Sequence, residues 1–468
     1  MTATAFLQGN DYLCCAPASH GDLPCLYLPT MNSVDRNILR IAVPSIISNI
    51  TVPLLALVDV AIVGHLGSAA YIGAIAVGGM MFNVIYWIFI FLRMGTSGMT
   101  SQALGARRLD ETVRLLIRAL TVGIAIAVVL VCLQGLILHA ALAFMSPTAD
   151  VARLATVYFN ICIWGAPAML GLYAMTGWFI GMQNSRTPMV IAISQNVINI
   201  AASLLLVYVG GMKVEGVAIG TLMAQYWGFL LALVMLAWRY GKYLRRNFRR
   251  ASLWSRQAMT RFFNVNRDIF FRTVCLVAVM LSFTSAGSWQ GETILAVNTM
   301  MLQMFVIFSY VMDGFAFAGE ALSGRHFGAG DLRALNGTVR RLFLWGIAMA
   351  TAFTACYVIG GDAFLSLLTD DKSVIAASKP YIFWAMAVPA VSFAAFIWDG
   401  VFIGCTLTRY MLMSMFSAAV AFFAAYYGLR GTIGNHALWL AFLSYLAVRG
   451  IAQTFLFSKV NISATQDK

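Results

Sequence analysis

Asp59, Arg93, Asp313, Glu320 and Asp399 are ionisable side chains inside apolar stretches of this chain, as is Arg272. A charge near a bilayer centre costs about 2.5–3.5 kcal/mol on insertion scales, so such residues mark proton or ion handling, or buried pairs. Asp59 sits in the run from Pro44 to Gly67, which is long and apolar enough to cross a bilayer and also holds Pro53. Proline inside a spanning helix removes a backbone hydrogen bond and lets the helix bend. A titratable group on a bendable helix suits proton- or cation-driven transport. Asp313, in Asp313-Gly-Phe-Ala-Phe-Ala-Gly-Glu320, and Asp399, in Trp398-Asp399-Gly400, read as carboxylates of a substrate cavity. Glu320 lies nearer the end of its run, where Arg325 is within reach as a partner. Arg93 reads as the balance for a carboxylate or a helix cap, with direct substrate contact as the alternative.

One further run is rich in amides: Gln195, Asn196 and Asn199, followed by Ser203. Asn199 and Ser203 are four apart and share a helix face. The run serves either as hydrogen-bonding glue between helices or faces a cavity beside Asp59, with Asn199 and Ser203 at an ion site and Gln195 and Asn196 lining the substrate cavity. Gly177/Gly181 and Gly400/Gly404 have the spacing that allows close helix packing. Met80, Met81, Trp87 and Trp164 suit core or lipid contact, and Met and Phe are also what a promiscuous apolar cavity needs. A phosphate-binding GxxxxGK[ST] stretch is missing, so the energy source must be an ion gradient. Neither GxSxG nor HExxH occurs, the histidines (His20, His65, His139, His326, His436) are dispersed, and the cysteines form no CxxC pair. The expectation is therefore a transporter and not an enzyme. It needs no metal and no cofactor beyond a coupling ion.

The elements that carry these residues are membrane spans. The chain is 61% hydrophobic and 10% charged, with a mean hydropathy of +0.81; soluble domains run at about 45–50% apolar and 25% charged. A net charge of +13 would suit nucleic acid in a soluble protein. Here the basic residues sit in short segments between apolar runs, which excludes that class and matches the positive-inside pattern. Twelve runs of about 20 residues can span as helices: 38–64, 70–97, 114–139, 153–182, 188–209, 215–238, 269–289, 293–321, 338–360, 379–403, 408–428 and 434–457. Residues 1–32 read as a disordered tail without the features of a signal peptide. The N-lobe is expected over 33–240, a basic cytoplasmic linker over 241–267, the C-lobe over 268–460 and a short tail over 461–468.

Charge asymmetry sets the topology. Arg107/Arg108, Arg186, the linker, Arg325/Arg333/Arg340/Arg341 and Arg409 fall on one side. The other side holds little beyond Arg153, Lys213, Lys372, Lys379 and Arg430. Both termini are expected in the cytoplasm, with the chain in the inner (plasma) membrane. The halves also repeat: Gly177-Trp-Phe-Ile-Gly181 and Gly400-Val-Phe-Ile-Gly404 match with an offset of 223, shared by Gly105/Gly328, Tyr158/Tyr381 and Arg186/Arg409. Repeats of equal orientation imply a pseudo-twofold axis along the membrane normal and a cavity between the lobes. The expected fold class is an all-α polytopic membrane protein, with twelve transmembrane helices in two six-helix lobes.

These residues resemble those of a known family. Pro44…Pro53…Asp59…Gly64-His65-Leu66-Gly67, Phe91-Leu-Arg…Gln102-Ala-Leu-Gly-Ala106 and Asp313–Leu322 look like the multidrug and toxic-compound extrusion (MATE) transporters, and Asp399–Gly404 points to their DinF-like branch. The resemblance covers about residues 33–458. It implies export of small organic, cationic or amphipathic compounds by a monomer that rocks between outward- and inward-open states in exchange for H⁺ or Na⁺. Within it, Asp59 matches the coupling carboxylate, Asn199 a polar partner and Thr221 another. Ser203 departs from members that carry a second Asp there. Hard cations want anionic oxygens, so the expectation leans to protons. Sodium coupling and a flippase of lipid-linked precursors are the alternatives.

Overall fold

The computed structural model describes residues 32–64, 69–248, 254–369 and 371–466, with some side chains inside these ranges left out. Residues 1–31 of the expected 1–32 tail, the residues His65, Leu66 and Gly67, and the side chain of Asp59 lie outside what is described. The expected C-terminal tail starts as helix, continuous with the last span to Gln466.

The described chain is helical throughout, because a backbone crossing hydrocarbon must satisfy its own hydrogen bonds. The first span is α1 (Ser33–Gly64), with Pro44 and Pro53 inside it. The second is α2 (Ala69–Phe89) continued by α3 (Phe91–Gly105). Next come α4 (Leu109–Cys132) with α5 (Gln134–Met145), then α6 (Ala149–Cys162), a tight turn at Ile163–Gly165 and α7 (Ala166–Gly181). The N-terminal half closes with α8 (Arg186–Leu204) and α9 (Val214–Phe248). The C-terminal half runs α10 (Arg256–Ser288), α11 (Glu292–Gly328), α12 (Leu332–Leu368), the short α13 (Lys372–Ser378), α14 (Ile382–Gly404), α15 (Thr408–Ile433) and α16 (Asn435–Gln466). After α1, 11 stretches of the described chain are long and apolar enough to cross a membrane, which completes the expected set. Helix occupies most of the basic segment 241–267: α9 and α10 extend beyond their expected spans and leave only residues 249–255 between them.

The sequence repeat is also a packing repeat. α3 lies on α7 as α11 lies on α14, α4 on α7 as α12 on α14, and α8 on α9 as α15 on α16. The paired glycines are what permits it. A Cβ at Gly177 would strike the carbonyl oxygen of Arg93, and one at Gly400 that of Ala316, again 223 residues apart.

Each half reaches across to the other with its first helix. Asp35 at the start of α1 accepts from Arg341 Nη1 (3.3 Å) and Trp345 Nε1 (3.2 Å) of α12. Ile38, Ile41 and Ala42 join a buried apolar cluster built mostly from the C-terminal half. In return α10 lies on α3, where Phe91 and Phe270 meet edge to face at 6.2 Å. The first helix of the expected N-lobe thus bridges both lobes.

Candidate functional site

Asp399 sits on α14 where three helices converge. Arg272 of α10 and Arg449 of α16 both donate to its Oδ2, and Gln453, one turn after Arg449, donates to Oδ1 at 2.7 Å. The carboxylate is 5% exposed. Expected as a cavity carboxylate, Asp399 is instead the acceptor of a filled cluster, because Arg449 and Gln453 reach it from a helix fifty positions away. Neither residue was singled out from the sequence, although their i, i+4 spacing makes one polar face on an otherwise apolar helix.

Asp313 of α11 is different. It is half-buried and makes no hydrogen bond or ion pair to another described residue. The charges acting on it are those of Arg93, Arg272, Asp399 and Arg449. They come from both halves, so Asp313 lies where the halves meet.

Glu320, two turns further along α11, is 1% exposed. Its partner is Arg93 of α3, at 3.5 Å across the boundary between halves. Arg93 also lies over the Phe317 ring at 4.3 Å. Arg325, the partner considered from sequence, is exposed and donates to Gln183 Oε1 at 2.9 Å. The pair is loose: Glu320 Oε1 has no hydrogen-bond partner.

In the N-terminal half, Asn199 Nδ2 donates to Thr221 Oγ1 at 3.2 Å. Ser203 packs against Gly220, which leaves no room there for a side chain. The Asn199 Oδ1 and Ser203 Oγ atoms are buried without a partner. Gln195 points along the same α8 face to Met169 Sδ (3.8 Å) and Gly228. Asn196 turns to α1 and donates to the Thr51 carbonyl at 3.3 Å. Gln195 and Asn196, expected in one cavity, thus face different neighbours.

At the end of the bundle bearing the basic loops, the halves touch through a contact that the sequence reading missed. Gln102 Nε2 donates to Thr406 Oγ1 (2.9 Å) and to the Gly404 carbonyl (3.1 Å). Its repeat mate is Arg325, and Thr406 is the mate of Gln183, so the Arg325–Gln183 bond is the same contact seen across the pseudo-twofold. Gln183 and Thr406 both take left-handed backbone, at φ +61° and +50°. That conformation is costly for a β-branched residue, and such strain clusters at functional positions. Gly105 and Gly328 let α3 and α11 cross here: a Cβ at either would strike the other helix's backbone.

The model of the MatE family matches this chain twice, over residues 44–205 and 269–427, one copy in each half. The chain belongs to the MatE family. It is 33% identical to DNA damage-inducible protein F of Escherichia coli (strain K12), over 90% of this chain and 92% of that protein. It is 25% identical to Protein DETOXIFICATION 44, chloroplastic, of Arabidopsis thaliana, over 91% of this chain and 82% of that one. Among solved structures, a MATE protein crystallised in the bent conformation superposes with a TM-score of 0.81 at 19% identity, covering 93% of this chain and 97% of that one. An outward-facing multidrug resistance MATE transporter superposes with the same score at 18% identity, covering 93% and 98%. The two-lobe fold is therefore that of MATE transporters. This MatE protein is a multi-pass membrane transporter of small compounds.

Proposed function

We propose that this MatE protein exports organic cationic or amphipathic compounds in exchange for protons, with both termini in the cytoplasm of a plasma membrane. The reading rests on one observation above the others: of the three described carboxylates set deep in the C-terminal half, only Asp313 is uncommitted. Asp399 is filled by two guanidinium groups and an amide, and Glu320 faces Arg93. Asp313 is thus the carboxylate available to an organic cation between the halves.

Coupling is assigned to Asp59, on the proline-containing α1, with the Asn199–Thr221 pair and Ser203 on the seam between α8 and α9. No described side chain around Asn199 on that seam is charged, which supports protons over Na⁺, since a hard cation favours anionic oxygens. The contact between halves on the basic side, made by small residues and a few hydrogen bonds, is suited to opening and closing as the lobes rock.

The test is efflux of a fluorescent cationic dye from proteoliposomes under an imposed proton or sodium gradient, with Asp59→Asn and Asp313→Asn in parallel. Proton-driven efflux lost in Asp59→Asn, and weakened in Asp313→Asn for cationic but not neutral dyes, is the expected result. Efflux driven by sodium alone would overturn the coupling assignment.

A further inference from the structure

A cavity of about 560 Å³ opens at the basic end of the bundle, between the start of α10 and the α14–α15 turn. Gln257, Arg261 and Asn264 line it from α10, and Thr406 and Arg409 from the turn and α15. Arg409 is exposed and makes no hydrogen bond or ion pair to any described residue. Arg261 gives one N–H to Gln102 Oε1 at 2.8 Å, and a guanidinium carries five N–H donors in all. The acidic residue of the lining, Asp268, is already engaged by the Thr408 hydroxyl (3.1 Å) and by Arg267 (3.2 Å). α15 begins at Thr408 without a side-chain cap, so the positive end of a 26-residue helix dipole adds to the two guanidinium groups.

We propose that this cavity binds a phosphate group, delivered as the headgroup of an anionic phospholipid. Two guanidinium groups around one space suit the several acceptor oxygens of a phosphate. The depth favours a lipid as its source. α10 has 33 residues, about 50 Å at 1.5 Å per residue, against a hydrocarbon core of about 30 Å. The helix outruns the core by about 20 Å, and the basic residues around the cavity put that excess at its N-terminal end, which passes through the headgroup layer. The site is wired to the contact between the halves, because Arg261 touches both the cavity and Gln102. A bound phosphate holds Arg261 in place and with it the Gln102–Thr406 bond.

The experiment uses the purified full-length chain, stripped of lipid in detergent and analysed by native mass spectrometry and thermal unfolding. Three probes are titrated: phosphatidylglycerol, phosphatidylcholine with the same acyl chains, and inorganic phosphate. The expected result is tighter binding and greater thermal protection by phosphatidylglycerol than by phosphatidylcholine, with Arg409→Ala weakening the former by about fivefold or more. Arg409→Lys keeps most of the binding, which separates charge from folding. Inorganic phosphate that displaces phosphatidylglycerol supports the same anion chemistry with a soluble source. Equal binding of the two lipids, or phosphatidylglycerol binding unchanged in a folded Arg409→Ala protein, would overturn the proposal.

Discussion

Gln102 and Thr406 join the two halves through a 2.9 Å hydrogen bond, and the pair 223 positions away in the repeat, Arg325 and Gln183, repeats it at 2.9 Å. The bond therefore exists twice, once on each side of the pseudo-twofold, and the two copies hold the same end of the lobes together. Each is worth about 1 kcal/mol, as a partly exposed hydrogen bond. Removing both by Thr406→Ala with Gln183→Ala is expected to shift the lobe equilibrium toward opening at this end by roughly 30-fold. Distances between spin labels at residues 186 and 340 measure it. An unchanged distribution in the double variant would show that the crossing helices alone hold the contact.

The helix crossing itself predicts a stricter response. A Cβ at Gly105 meets the backbone of Arg325, and a Cβ at Gly328 meets that of Gln102. Backbone cannot rotate away as a side chain can. Gly105→Ala and Gly328→Ala are each expected to hold this end of the lobes apart and to slow dye efflux by about tenfold or more, while leaving expression and folding intact. Equal losses in the two variants are required by the repeat; a loss in only one would show that the two crossings do different work.

The carboxylates of the C-terminal half separate by their partners. Asp399→Asn leaves Arg272 and Arg449 buried without their counter-charge, and breaking a buried pair in this way costs about 3–5 kcal/mol. A marked fall in the thermal unfolding temperature in detergent is expected. Asp313→Asn breaks no described bond, so its unfolding temperature should stay near that of the parent while cationic dye efflux falls. The opposite pattern would exchange the roles of the two residues.

Arg93 and Glu320 form a buried pair across the halves at 3.5 Å. Arg93→Gln and Glu320→Gln each strand the other's charge, whereas the double variant removes both. A double-mutant cycle on unfolding temperature and efflux should give a coupling of about 1–3 kcal/mol. Additive effects would mean that the two charges do not sense each other in the working states.

The spans, their number and the repeat were legible in the sequence, because hydropathy and an offset of 223 are properties of the chain alone. The pairing of charges was not. Asp399 looks the same from sequence as Asp313, one filled and the other uncommitted, because what distinguishes them is Arg449 and Gln453 arriving from another helix. Glu320 misled through proximity: Arg325 is near in sequence, yet α11 carries it to Gln183 while Arg93 crosses from α3. The Gln102–Thr406 contact was hidden for a different reason. Both residues sit at helix ends, where polar side chains are ordinary, and only the repeat offset linking them to Arg325 and Gln183 carried a signal.

The seam between α8 and α9 gives the test of ion choice. Asn199 Oδ1 and Ser203 Oγ are buried and unsatisfied, and Thr221 is already bonded to Asn199 at 3.2 Å. A proton is served by a nearby titratable carboxylate, but a sodium ion in a site without water needs several oxygens, preferably anionic ones. Ser203→Asp adds such an oxygen at this seam, one helical turn from Asn199. The expected outcome is efflux that becomes stimulated by an inward sodium gradient, together with sodium-dependent thermal protection of the purified protein. Pairing this change with Asn199→Ala removes the unsatisfied amide oxygen one turn away and should abolish the gained response. If Ser203→Asp folds and yet sodium neither protects it nor drives efflux, the missing carboxylate at this position is not what sets the coupling ion.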